Sequence, residues 1–319
     1  MSNHLDSEVV GPGYVLPALV DLLPTIRRIN VRGSRHYYNI AGTDVHILPS
    51  VTTIVNKTIP APDHVIKWWC DLGYEGAKKE MNRRAHYGTC LHILASNLMT
   101  EGEIDIDAIP DHVADYVSQH NLEFHTGWWP YEMQKDILAI AQWVTEKEVV
   151  PLAIEVPMAS AALGYAGTAD FIVELTFNRK RVLAMVDLKS GRNGFTTKHE
   201  AQLEAYRQLW NHLVPTMPIE MMFNLAPKDW RKGPTYEVTN QTASEGAAMW
   251  PHMLAMYRAS EPPMKTVIKC SGKVKLGANT DANWSVLDLD KHLANLHRLE
   301  EEAARDTTVE ELSDAVAAF

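Results

Sequence analysis

The run Gly164-Tyr165-Ala166-Gly167-Thr168-Ala169-Asp170-Phe171-Ile172-Val173-Glu174-Leu175, followed by Arg181-Val182-Leu183-Ala184-Met185-Val186-Asp187-Leu188-Lys189-Ser190-Gly191, decides how this chain folds. Both runs are largely apolar and partly β-branched, with Asp170 at the heart of the first and Asp187 near the end of the second. The basic turn Asn178-Arg179-Lys180-Arg181 lies between them, so the pair reads as a β-hairpin. Lys189 stands two residues after Asp187 and therefore points to the same strand face. Two carboxylates held together repel each other unless a cation sits between them. Oxygen donors of this kind suit a hard divalent ion, Mg²⁺ or Mn²⁺. Such an ion beside an ammonium group is what phosphodiester hydrolysis needs. The ion polarises phosphate and activates water, and the lysine steadies water or developing charge.

Outward from this hairpin the sequence alternates between strand and helix patterns. Residues 1–30 mix Gly, Pro and Leu without periodicity and read as an extended arm. Residues 35–48 read as a hairpin turning at Ala41-Gly42-Thr43-Asp44, and Ser50 or Thr52 can cap the helix that follows. Pro60-Ala61-Pro62-Asp63 opens a second helix, residues 77–99 form a third, and residues 101–130 read as short helices and loops. Helical spacing returns over 134–148, followed by strands at 152–157, 168–175 and 182–188. A helix over 198–213, strands at 220–226 and 235–239, and a helix over 242–259 complete the pattern. Residues 261–285 look irregular, and a last helix starts near Leu287. The order implies an α/β sandwich around a central mixed sheet flanked by helices.

Four short motifs occur in order around the acidic pair. Leu48-Pro49-Ser50-Val51-Thr52 comes first, then Gly88-Thr89-Cys90-Leu91-His92, then Asp170 with Asp187-Leu188-Lys189, then Gln202-Leu203-Glu204-Ala205-Tyr206. Together they resemble the PD-(D/E)XK nuclease superfamily, in its RecB-like exonuclease branch, over roughly residues 36–240. The Pro-Ser-Val-Thr opening is similar to that of mitochondrial genome maintenance and related phage exonucleases. The resemblance implies a restriction-endonuclease-like core within residues 36–260, with a 1–35 arm and a 261–319 C-terminal segment. It implies that Asp170, Asp187 and the Leu188 carbonyl hold one or two ions, and that Lys189 is catalytic. It makes His92 a ligand of the same or a second ion, and Glu155 the upstream acid. It places Gln202 and Tyr206, four apart on one helix face, along the active site. His92 also shares a helix face with Gly88, whose missing side chain would let that helix approach the sheet.

The activity implied is metal-dependent hydrolysis of DNA, by water attacking phosphorus in line with the leaving 3′-oxygen and leaving a 5′-phosphate. Single-stranded DNA with free ends is the expected substrate, and recombination, repair or replication, in a phage among other settings, the expected context. A structure-specific or restriction-type endonuclease is the alternative. A non-catalytic DNA-binding or inhibitor protein on a nuclease fold is the reading from another class. Candidate DNA contacts are Arg84, Arg192, Lys198, Arg231 and Lys232. Trp230, amid Lys228, Arg231 and Lys232, is either a base-stacking residue or a packing anchor. Trp68-Trp69 and Trp128-Trp129 read as core or partly buried anchors.

The net charge of −10 sits awkwardly with a nucleic-acid enzyme until it is divided along the chain. From Glu300 onwards there are seven acids and one base, whereas residues 179–232 hold ten bases and five acids. The segment carrying the expected site is thus basic, and the acidic C-terminus is a candidate surface for a protein partner. Cys70, Cys90 and Cys270 are scattered and too few for a four-cysteine iron–sulfur cluster, so none is expected. An odd cysteine count, no signal-like start and no apolar run of membrane-spanning length point to a cytoplasmic protein, in a bacterial host's cytoplasm if phage-encoded. There is no Gly-X-Ser-X-Gly elbow and no phosphate-binding Gly-X-X-X-X-Gly-Lys-Ser/Thr loop.

Overall fold

The computed structural model describes residues 7–10, 13–31, 34–39, 48–123, 126–191, 195–260, 266–271 and 283–288. Its centre is a mixed six-stranded sheet. The expected hairpin supplies β7 (Tyr165–Phe177) and β8 (Lys180–Leu188), preceded by β6 (Val150–Ser160) and followed by β9 (Met221–Pro227) and β10 (Tyr236–Asn240). The strand order is β10-β9-β8-β7-β6-β2, where β2 is Tyr14–Val15. All neighbours are antiparallel except β8 and β9, which run parallel. A parallel pair needs a crossover, and α5 (Thr197–Leu213) provides it.

Helices cover both faces. On one, α1 (Val51–Thr58), α5 and α6 (Glu245–Ser260) bury Ile54, Leu209, Trp210 and Trp250 against Ile172, Met185 and Met222. On the other, α2 (Asp63–Glu101), α3 (Ile109–Gln119) and α4 (Trp129–Glu146) bury Leu91, Leu94, Trp129, Ile137 and Trp143 against Phe171, Val186 and Phe223. This is the α/β architecture that the sequence pattern implies. Among the described residues, no helix is long and apolar enough to cross a membrane.

Local signals explain several element ends. Ser50 caps α1, its hydroxyl accepting from the Thr53 amide at 3.0 Å. Thr196 and His199 cap α5 reciprocally. Residues 63–101, expected as two separate helices, run as one 39-residue helix broken only at Gly73, where φ is +68°. Glycine tolerates that conformation without steric cost, so the chain bends there and resumes its helix.

Two expectations fail. The N-terminal arm is incorporated into sheets. Residues 14–15 pair with Ile154 and Ala153 at the edge of the central sheet. Strands β1 (Ser7–Val10), β3 (Ile26–Val31), β4 (Ser34–Asn39) and β5 (Leu48–Pro49) form a second sheet. Residues expected to be irregular form an antiparallel pair, β11 (Thr266–Ser271) and β12 (Asn283–Asp288), so Leu287 itself is in a strand, and the rest of the expected last helix lies outside the described residues. The turn at 41–44, Arg192 and the acidic segment from Glu300 lie outside the described residues.

Candidate active site

Strand register brings the acids together. Phe171 pairs with Val186, so Asp170 and Asp187 stand opposite each other one step further along. Ile154 pairs with Phe171 and Val156 with Ala169, which sets Glu155 opposite Asp170. Asp187 itself pairs with Asn224 on β9. Glu155, Asp170, Asp187 and Asn224 therefore occupy one row across four neighbouring strands. Like charges facing across strands destabilise a sheet. Here Glu155 also adopts φ +49°, a left-handed conformation costly for a residue with a side chain, and such strain concentrates at functional sites. The N-terminal segment packs beside it, the Gly13 amide donating to the Ile154 carbonyl at 3.0 Å.

Helix α2 delivers His92 to this row. Its Nδ1 lies 3.1 Å from Glu155 Oε1 and 3.7 Å from Asp170 Oδ1, and its Nε2 lies 3.1 Å from the Leu188 carbonyl. One turn earlier, Gly88 allows the close approach expected of it. A β-carbon there would sit 3.1 Å from Ser190 Oγ. His92, Glu155 and Asp170 each offer a donor atom, all within 4.8 Å of one another. One imidazole nitrogen and two carboxylate oxygens make a donor set that fits a divalent ion such as Mn²⁺, and with added water oxygens also Mg²⁺.

Asp187 is held differently. It is 2% exposed, takes a 2.7 Å ion pair from Lys189 Nζ, and accepts a 2.8 Å hydrogen bond from Asn224 Nδ2. Gln241 in turn donates to Asn224 Oδ1 at 3.2 Å. Asp187 is thus not among the three residues whose donors converge. Asp170 links the two groups, because its Oδ2 accepts the Leu188 amide at 2.8 Å. The Leu188 carbonyl, an expected ligand, faces His92 in this structure. Sequence reading missed Asn224 and Gln241, since a buried amide in a strand carries no local signature.

The electrostatics follow from crowding. Burial pushes the Asp170 carboxyl up, against the opposing pull of His92. Burial alone would lower His92, but Asp170 and Glu155 outweigh it and raise the imidazole to about 9. Burial likewise disfavours the Lys189 ammonium, yet Asp187 and Asp170 hold its pKa above the ordinary lysine value. The site is a set of anions short of cations, and a divalent ion would relieve it.

The remaining candidates are spread around this centre. Gln202 donates to the Tyr206 hydroxyl at 3.0 Å on α5, and the Tyr206 ring lies over Gly167 of β7. Lys198 reaches Asn56 at 3.5 Å. Arg84 is paired with Glu80 at 2.8 Å on an exposed part of α2. Trp230, Arg231 and Lys232 lie on the β9–β10 connection, where the Trp230 indole donates to the Lys135 carbonyl at 3.3 Å, which favours a packing anchor. Arg231 and Lys232 are exposed.

No protein-family model matches the chain, and no curated protein matches it. Among solved structures, the chain is similar to a protein named "Putative exonuclease" from Eubacterium rectale. The TM-score is 0.33 and the identity 7%, over 53% of this chain and 65% of that one, so the match spans less than two thirds of that protein.

Proposed function

We propose that this chain is a metal-dependent deoxyribonuclease, an exonuclease acting on single-stranded DNA ends. The observation that carries the reading is one arrangement. Three metal-type donors from β6, β7 and α2 converge beside the buried Asp187 carboxylate of β8 and its ion pair with Lys189, the residue that follows the strand. A bound Mg²⁺ or Mn²⁺ would supply Lewis-acid polarisation of the phosphate and a water of lowered pKa. His92, Glu155 and Asp170 would hold it, with Asp187 at the next position of the row.

The chain's own groups account for the rest. Asp187 and Asn224 hold the Lys189 ammonium at the strand end, where it can donate to a phosphate oxygen as charge builds there. Ser190 and Gly191 end the strand beside α2, leaving the ammonium at a solvent-reaching edge. Gln202 and Tyr206 pack α5 onto the sheet at Gly167, three residues from Asp170.

Digestion of end-labelled single- and double-stranded DNA in Mg²⁺, Mn²⁺ or EDTA tests the reading. Expected is cleavage of linear single strands with either ion and none in EDTA. Equal cleavage of circular single strands would replace the exonuclease by an endonuclease, and no cleavage under any condition would overturn the enzyme.

A further inference from the structure

The N-terminal two thirds of α2 face a groove that the catalytic reading does not use. Its outer part encloses about 710 Å³ and is lined by Trp68, Lys79, Glu80, Arg83, Arg84 and Trp128, among others. Its inner part, about 330 Å³, shares Arg83, Arg84 and Trp128 and continues to Ser190 and Gly191, the residues that follow Lys189. The two parts are one path that starts at the strand end carrying the catalytic candidates.

Helix geometry orders the path. Glu80, Arg84, Gly88 and His92 recur every four residues and so follow one inclined row of side chains along α2. At 1.5 Å per residue, His92 and Glu80 are about 18 Å apart along the axis. That is roughly five nucleotides of a stacked strand at about 3.4 Å each. Gly88 lets α2 come close to Ser190, where an added β-carbon would meet the hydroxyl at 3.1 Å.

The lining has an unusual composition. Two tryptophan–arginine pairs flank it: the Arg84 guanidinium lies 5.9 Å from the Trp68 ring centre, and that of Arg83 lies 5.0 Å from the Trp128 ring centre. Tyr87 stacks on Trp128 at 5.4 Å and fixes its orientation, yet 40% of Trp128 remains exposed. Glu80 takes both arginines, Arg83 through two hydrogen bonds and Arg84 through one, which holds their guanidinium planes in place. Lys79, Arg83 and Arg84 outnumber Glu80 in the outer part, against the strongly acidic balance of the whole chain. Indole faces stack on bases of any sequence, but only on bases not already stacked in a duplex, while guanidinium groups take phosphates.

We infer that this groove is the track for a single-stranded polynucleotide, with Trp128 and Trp68 stacking unpaired bases and Arg83, Arg84 and Lys79 meeting its phosphates on the way to the metal cluster. The direction of travel rests on the nuclease reading; the binding does not.

The test is therefore made in EDTA, where no cleavage is expected. Fluorescence anisotropy measures the affinity of the full chain for labelled dT12, rU12 and a blunt 12-base-pair duplex. Expected are tight binding of dT12, a loss of about tenfold or more in Trp128→Ala, and recovery in Trp128→Phe, the range that one lost stacking contact gives. Trp68→Ala, on the other flank, serves if Trp128→Ala does not fold. Duplex affinity should be little changed by either aromatic replacement and weakened by Arg83→Gln. Comparable affinities for dT12 and rU12 are consistent with stacking; a preference for one identifies the strand. The inference is overturned if wild-type protein does not bind dT12, if the aromatic variants bind it normally, or if poly-glutamate competes as well as dT12, which would leave charge alone. A protein that binds dT12 through Trp128 yet cleaves nothing in Mn²⁺ would keep the track and remove the nuclease. A protein that cleaves but is indifferent to Trp128 and Trp68 would do the reverse.

Discussion

His92 on α2 and Leu188 at the end of β8, ninety-six residues apart in sequence, meet through a 3.1 Å hydrogen bond between the imidazole Nε2 and the Leu188 carbonyl. A carbonyl only accepts, so Nε2 carries the proton, and Nδ1 is turned towards Glu155 and Asp170. An outer partner that fixes one ring nitrogen is the usual way a protein aims the other at a metal. The same bond ties the helix to the end of β8, which carries Asp187 and leads into Lys189, so the candidate metal donors and the lysine are set by one contact.

His92→Ala should therefore weaken Mn²⁺ binding by tenfold or more in isothermal titration, and it should lower the thermal midpoint of the metal-free protein at neutral pH, because it removes the cation facing Glu155 and Asp170 and the bond to Leu188. Unaltered Mn²⁺ affinity would show that the imidazole is not a ligand.

Asp187 and Lys189 separate chemistry from stability. Asp187→Asn keeps a hydrogen-bonding group opposite Asn224 and should fold, while losing cleavage. Asp187→Ala leaves the Lys189 ammonium without its ion-pair partner and should also cost about 1–3 kcal/mol in urea unfolding. Lys189→Ala should lower the cleavage rate roughly a hundredfold or more with Mn²⁺ affinity retained. Normal cleavage by Lys189→Ala would make the lysine a structural partner of Asp187 and nothing more.

Much of this centre was legible in the sequence because its parts coincide with strong local patterns. Asp170 and Asp187 sit in β-branched runs, and His92 and Gly88 lie one turn apart in a helix, so their elements could be assigned and their faces deduced. The positive φ of Glu155 could not, since nothing in Ala153-Ile154-Glu155-Val156 announces a left-handed residue. Nor could the N-terminal edge strand, which is two residues long. Gly73 looks like a helix end by its residue type, and only packing shows that the helix resumes. Trp128 and Trp129 read alike, as core or partly buried anchors, yet one is 40% exposed and the other fully buried. Adjacent helical residues point some 100° apart, and the sequence does not say which direction meets solvent.

Gly167 is the position where the α5 helix rests on the sheet. An added β-carbon would come within 2.4 Å of Tyr206 Cε1, and Tyr206 is buried. Gly167→Ala should therefore displace the ring and cost about 1–3 kcal/mol, read as a lower urea midpoint. Tyr206→Phe loses only the hydroxyl that Gln202 contacts and should cost less. If Gly167→Ala is as stable as the wild type, the α5–β7 contact is looser than the structure has it.

His199 gives the chain a pH-dependent joint beside the site. Burial, then the nearby charge of Lys189, pushes its pKa down to about 4, with Lys198 adding to the effect and Asp187 opposing it. Its Nδ1 accepts the Thr196 amide at 3.3 Å, closing the cap of α5, and a protonated ring cannot accept that bond. The unfolded chain binds this proton near the ordinary value of 6.5, and the folded chain only near 4. Between those values the unfolded state carries more protons, so stability falls as pH drops through the window and is unaffected by this group above it. Other groups titrate in the same range, so the comparison is made against His199→Gln. Glutamine can close the same cap without titrating. Urea midpoints taken from pH 7 to pH 4 should decline more steeply in the wild type than in His199→Gln. Parallel declines would show that His199 takes up its proton in the folded chain as readily as in the unfolded one, and the cap would then play no part in acid sensitivity.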